Sequence, residues 1–150
     1  MITKGVISIR PFSPADVDHV MKLVKTTLDE SYPPSLYFDL CHAWRDGFLV
    51  AENSGFIIGF IAGIVSQPGQ ARILMLAVDS QHRNQGIGTQ LMHSFMNTCG
   101  SKGMRSVELE VRQSNLMAIN FYRRLGFQLM HTLERFYSNG ENGYKMIRYF

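Results

Sequence analysis

The run ARILMLAVDSQHRNQGIGTQLMHSFMNTCG, residues 71–100, constrains the fold more than any other part of the chain. ARILMLAVD is almost continuously apolar, which predicts a central strand buried on both faces. The helical pattern that follows puts Ile87, Leu91, Ser94, Phe95 and Thr98 around one face and stops at residues 100–103, where two glycines lie. Between strand and helix sits RNQGIG. Such a turn is either a plain connection or a phosphate cradle, in which positions without a Cβ let backbone N–H groups approach an anion at the positive end of a helix. Six residues do not decide between the two.

The flanking chain reads as one α/β domain over residues 1–150. VISIRPF alternates as a strand does, and Ser13 or Pro14 opens a helix with Val17, Val20, Met21, Val24 and Leu28 on one face, ending near residues 29–31. Pro33 and Pro34 force a loop before a second short helix in SLYFDLCHAW. GFLVAEN and GFIIGFIAGIV form a predicted hairpin turning at residues 53–55, with Asn53 and Gly55 supplying positive φ. SVELEVR sends Val107, Leu109 and Val111 to one face and Glu108, Glu110 and Arg112 to the other. SNLMAINFYRRLGF is a short helix with Ser114 or Asn115 as N-cap and Gly126 as C-cap. FQLMHTLERFY and YKMIRYF are strands flanking the polar loop SNGENG. The order is β-α-α-β-β-β-α-β-α-β-β, without repeat or linker.

Composition narrows the function classes. A net charge of +3 with 45% hydrophobic residues describes a globular enzyme or binding module rather than a disordered polycation. No lysine-rich tract marks a specific nucleic-acid binder. FIIGFIAGIV is too short to span a bilayer, and the first residues have no leader-like apolar stretch with a cleavage site, so the expectation is a soluble, cytoplasmic protein with no membrane partner. Cys41 and Cys99 lie outside any CxxC or Cys/His cluster and read as reduced thiols; His82, His93 and His131 lack ligand spacing, so no metal is assigned.

Order and spacing together carry more than any one motif. ILMLAV, then RNQGIGTQLM, then LEVRQSNLMAINFYRRLGF resemble the GNAT superfamily of acetyl-CoA-dependent N-acetyltransferases, whose signature Q/R-x-x-G-x-G/A lies between a strand and a helix. Arg83, Gly86 and Gly88 fill its three positions. The resemblance implies a single-domain GNAT fold: a twisted mixed β-sheet with helices on both faces and the cofactor in the splay between central strands. LEVR followed by SNLMAINFYRRLGF is similar to protein N-terminal α-amine acetyltransferases of the bacterial RimI type. DESYP resembles the E-N-Y segment of the archaeal and eukaryotic catalytic subunits, with Ser31 for the usual Asn. RFYSNGENGYKM is similar to their Y-Y-x-D-G-E-D-A-Y-x-M tail, with Asn139 and Asn142 replacing acids. These departures bear on which N-terminal residue is accepted.

By this resemblance the chain binds acetyl-CoA through Arg83, Asn84, Gln85, Gly86, Ile87, Gly88 and Thr89 at the pyrophosphate, through Leu76, Ala77 and Val78 at the pantetheine arm and thioester carbonyl, and through Asn115 and Tyr122. Asn115 is equally an N-cap. Glu110 is the first candidate base and Glu30 the second, with surface carboxylates as the bland alternatives; Tyr122 is the candidate acid, or else a core aromatic. Glu30, Tyr32 and Tyr137 are candidate substrate contacts. An α-amine near pKa 8 is about a tenth neutral at pH 7, a lysine only about 0.04%, so deprotonation costs about 1 against about 4.6 kcal/mol. A carboxylate acting through one water suffices for the α-amine. The expected substrate is a protein or peptide N-terminus, with an auxiliary subunit or self-association as further expected partners. Lysine or small-amine acetylation on the same fold, and a non-catalytic acetyl-CoA-binding regulatory subunit, are the alternative readings.

Overall fold

A computed structural model describes residues 6–150. Seven strands and four α-helices follow in the expected order: β1 Ile7–Pro11, α1 Val17–Leu23, α2 Pro34–Ala43, β2 Phe48–Asn53, β3 Phe56–Gln67, β4 Gln70–Val78, α3 Ile87–Ser101, β5 Ser106–Arg112, α4 Leu116–Arg124, β6 Gln128–Leu133 and β7 Gly143–Tyr149. They build one mixed sheet in the order β1-β2-β3-β4-β5-β7-β6, in which β4 and β5 are parallel and the β1–β2, β2–β3, β5–β7 and β6–β7 pairs antiparallel. The chain divides into two compact units, 6–64 with Met75–Thr98, and Val65–Leu74 with Cys99–Phe150.

In the first unit the core gathers Phe12, Val20, Leu23, Val24, Tyr37, Leu40, Phe48, Val50, Phe60, Ala62 and Ala77. Phe12 stacks on Phe48 at 4.1 Å between ring centroids, and Phe48 meets Phe60 at 6.0 Å. Burying each such ring contributes roughly 1.5–3 kcal/mol. Leu23, absent from the expected apolar face of α1, joins that core at i, i+3 from the buried Val20, ahead of the π-turn over Val24–Leu28 on which the helix runs on. Asp29 then stops it in the left-handed region, φ 52°. In α3 the buried face is Ile87, Leu91, Met92, Phe95, Met96 and Cys99, wider than the expected stripe.

Two expectations are corrected. The β2–β3 turn takes its positive φ at Ser54 (51°) and Gly55 (85°), not at Asn53, because β2 keeps Asn53 paired with Phe56. Strand β4 is not covered on both faces: Ala71, Ile73 and Ala77 are buried, whereas Leu74 is 38% exposed. An apolar run in a central strand therefore does not by itself guarantee full cover of every residue in it.

The second unit hangs on β5, whose Val107, Leu109 and Val111 are buried while Glu108, Glu110 and Arg112 leave by the other face, as alternation requires. Its register with β7 runs from Ser106↔Tyr149 to Arg112↔Gly143, and its ladder with β4 covers Gln70↔Ser106 to Arg72↔Glu108, after which both strands continue. Gly69 at the β3–β4 turn has φ 78°, and its carbonyl accepts from Arg105 N–H at 2.7 Å, which pins β5 to this turn.

The entry to α1 is fixed by charge. Arg10 on β1 donates to both Asp16 oxygens, at 2.8 and 3.0 Å, and to Glu52 Oε2 at 2.7 Å; Asp16 also accepts from Ser13 N–H at 2.9 Å. These bonds, Arg10's first, hold the Asp16 carboxyl below its ordinary range. Asp16 therefore contributes stability that is fully present above the unfolded value near 4 and is lost as pH falls through the folded one. Asp16→Asn should lose about 1.5–3 kcal/mol at pH 7, and the gap to the wild type should narrow as pH falls below the unfolded value near 4, as read by urea midpoints.

Candidate active site

Within the first unit, β4 ends at Val78, Asp79 N–H donates to Ile58 O at 2.7 Å, and His82 bonds Asp79 at 2.8 Å. The chain then turns through Asn84 (φ 64°) and Gly86 (φ 77°) into α3. Arg83, Asn84, Gln85 and Gly86 are exposed, and a Cβ built on Gly86 meets nothing within 4 Å. Gln90 N–H donates to Gly86 O at 3.0 Å, so the amides of Ile87, Gly88 and Thr89 precede that i→i−4 bond. A helix start with this open approach is a ready site for an anion such as a pyrophosphate. Ile87 is 1% exposed and anchors the helix, so only its backbone can serve a ligand. Gly59 on β3 permits close packing under the end of β4: its Cβ would lie 3.0 Å from Ala77 O and 3.3 Å from Leu91 Cδ1. Leu76 and Val78 are half-buried and Ala77 is buried.

The loop after α1, also in the first unit, brings Glu30 and Tyr32 together: the Tyr32 hydroxyl donates to Glu30 Oε2. That bond, with burial second, pushes the Tyr32 phenol up to about 12. Tyr37 on α2, which sequence reading did not single out, is fully buried, and its hydroxyl has no hydrogen-bond partner among the described residues. Burial, then the Glu30 charge, raises its phenol too.

In the second unit Asn115 caps α4, accepting from Ala118 N–H at 3.1 Å. Leu125 N–H and Phe127 N–H both donate to Tyr122 O at 3.0 Å, and Gly126 closes the helix with φ 91°. Tyr122 packs edge-on against Phe121 and Phe127, with centroids at 5.3 and 5.8 Å. Burial, with a smaller contribution from Tyr137, pushes its phenol up to about 12, so it stays protonated at neutral pH. Tyr137 lies under the Arg112 guanidinium, 4.0 Å from the ring centroid, and Arg112 pairs with Glu141 at 3.0 Å. Glu141 also takes the Ser114 hydroxyl and N–H, and Asn139 Oδ1 accepts from Glu141 N–H at 3.0 Å, so the tail loop is braced onto the start of α4.

Glu110 is only 9% exposed at its side chain and is paired with Arg72 and Lys145, neither of which the sequence singled out. Arg72 was visible as a charge interrupting an apolar strand; Lys145 acquires meaning only from its register opposite Glu110. Glu110 and Tyr122 make no hydrogen bond to each other among the described residues. Cys41 and Cys99 are free; burial pushes the Cys99 thiol up to about 12. Among the described residues no cluster of His, Cys, Asp and Glu could hold a metal, and no helix is long and apolar enough to cross a membrane.

Comparison with known proteins agrees with this geometry. Residues 17–127 match the model of the acetyltransferase (GNAT) family. An uncharacterized N-acetyltransferase of Methanocaldococcus jannaschii is 34% identical over 93% of this chain and 90% of its own. An N-alpha-acetyltransferase of Sulfurisphaera tokodaii is 32% identical over 87% and 86%. The crystal structure of Ard1 from Thermoplasma volcanium superposes with a TM-score of 0.91 at 40% identity, covering 95% of this chain and 97% of that one.

The cap can be separated from any ligand role. Asn115→Ala should cost about 1 kcal/mol in urea unfolding, while Asn115→Asp, which keeps the acceptor, should unfold like the wild type. A weaker coenzyme A affinity in Asn115→Asp, measured by calorimetry, would reveal a contact through the side-chain amide.

Proposed function

Because the chain belongs to the acetyltransferase (GNAT) family, we propose that it transfers acetyl from acetyl-CoA to the N-terminal α-amine of a protein or peptide, by direct attack and without an acyl-enzyme. The observation that carries the acyl donor is the open turn at Gly86 ahead of α3: positive φ, no atom where a side chain would stand, and the amides of Ile87, Gly88 and Thr89 ahead of the i→i−4 bond from Gln90 to Gly86. The likeness to an N-alpha-acetyltransferase over most of both chains favours the α-amine as acceptor. Residues 1–150 are read as one acetyltransferase domain.

Bound acetyl-CoA would supply the acyl group and a thiolate as leaving group. The N–H groups of Arg83, Asn84, Gln85, Gly86, Ile87, Gly88 and Thr89 would hold the pyrophosphate, and the backbone of Leu76, Ala77 and Val78 would align the arm as an added strand and polarise the carbonyl. Glu110, or Glu30 beside Tyr32, takes the amine proton through a water; the Tyr122 hydroxyl, neutral at pH 7, returns a proton to the leaving sulfur. Tyr32 and Tyr137 border the peptide. A Cys99 thiol raised to about 12 holds almost no thiolate at neutral pH, which supports the direct route. The reading extends to a cytoplasmic location and to an auxiliary subunit or a second copy as partner.

Thiol release from acetyl-CoA with peptides of varied first residue should vanish when the terminus is blocked and persist when an internal lysine is replaced by arginine. Activity that survives blocking would make the substrate a lysine or another amine, and cofactor binding without turnover would leave a regulatory subunit. Tyr122→Phe should lower kcat by about a hundredfold with the acetyl-CoA KM near wild type; an unchanged kcat would remove Tyr122 from the chemistry.

A further inference from the structure

The exposed-side charges of β5 are joined into one row by their neighbours. Arg72 on β4 grips Glu110 with a fork, Nε donating to Oε2 at 3.1 Å and Nη2 pairing with Oε1. Lys145, opposite Glu110 in the β5–β7 register, places Nζ 3.4 Å from Glu110 Oε1 and 3.4 Å from Glu108 Oε1. Signs alternate along the row: Arg72, Glu110, Lys145, Glu108. The side chains of Glu110, Lys145 and Glu108 are 9%, 15% and 16% exposed, so water competes weakly for these contacts.

A carboxylate offers about four acceptor directions, two on each oxygen. The Arg72 fork takes one on each oxygen, and the Lys145 ammonium stands as an ion-pair partner 3.4 Å from Oε1. Oε1 thus faces both cations, whereas the second direction on Oε2 faces neither. We propose that Arg72 and Lys145 are positioning residues that immobilise the Glu110 carboxylate so that this direction receives the proton of the substrate α-amine through a water. As the nitrogen lone pair forms the C–N bond, an N–H bond breaks and an O–H bond forms, by way of the water, on Oε2; the C–S bond would break with its electron pair going to the sulfur, to which the Tyr122 hydroxyl gives a proton, so no oxidant or reductant is needed. This rests on the reading of Glu110 as base. It goes beyond that reading by naming what orients the base: a lysine and an arginine on two different strands, brought to one carboxylate by register alone.

Steady-state thiol release with a free-amine peptide tests it in single and double variants. Lys145→Met should lower kcat about tenfold, within the coupling range of contacting charged groups, with the acetyl-CoA KM unchanged, and Lys145→Arg should restore most of it. In a Glu110→Gln background, Lys145→Met should have no further effect, because the residue it acts through is gone. Wild-type kcat in Lys145→Met, or the same loss in both backgrounds, overturns the positioning role and leaves the base assignment standing. Wild-type kcat in Glu110→Gln overturns the base assignment itself. Should Lys145→Met not fold, judged by circular dichroism, Arg72→Lys serves: it keeps the charge but loses the fork. The proposal requires its kcat loss to disappear in the Glu110→Gln background, and a loss that persists there overturns it.

Discussion

Parallel pairing of β4 with β5 is the constraint on which the rest depends. Two parallel strands cannot be joined by a tight turn, so the chain must cross over, and here it does so through α3. The crossover places the start of a fifteen-residue helix directly after the end of β4. Helix amides, a glycine turn and a strand end therefore meet because of connectivity, before any ligand is considered. Anion-binding sites at the carboxyl ends of parallel strands arise repeatedly from this geometry.

The same strand alternation that builds the core also arranges the charges. Val107, Leu109 and Val111 are buried, which commits Glu108, Glu110 and Arg112 to the opposite face of β5. Antiparallel register then sets Lys145 beside Glu110 and Tyr144 beside Val111. A slip of one residue would exchange every one of these contacts, so the burial of the apolar set also specifies the polar row. Arg112 follows the same rule at the strand end, pairing with Glu141 and covering Tyr137.

Much of this was legible in the sequence. Strand β5 begins and ends where alternation said it would, Asn115 is the N-cap, Gly126 follows α4 in positive φ, and the glycine turn lies between strand and helix. These are local properties: a side-chain period, a cap bond reaching three residues ahead, a backbone angle open to glycine. Errors arose where a local rule met a non-local one. Asn53 stays in the ladder and Ser54 takes its turn role, while the apolar run of β4, whose pattern implies burial on both faces, leaves Leu74 exposed.

What the sequence determined by itself was the order of elements, the βα turn and the faces from which titratable side chains leave their strands. Tertiary structure alone decided which of them touch. The neighbours of Glu110 come from β4 and β7, 38 and 35 positions away in the chain; packing leaves the Tyr37 hydroxyl without a partner among the described residues; Tyr32 and Tyr122 reach about 12 for different reasons, a carboxylate partner in one case and burial in the other. Periodicity fixes the face on which a side chain leaves its strand, but contact and desolvation depend on the strand register and packing of the folded chain, which no local pattern encodes.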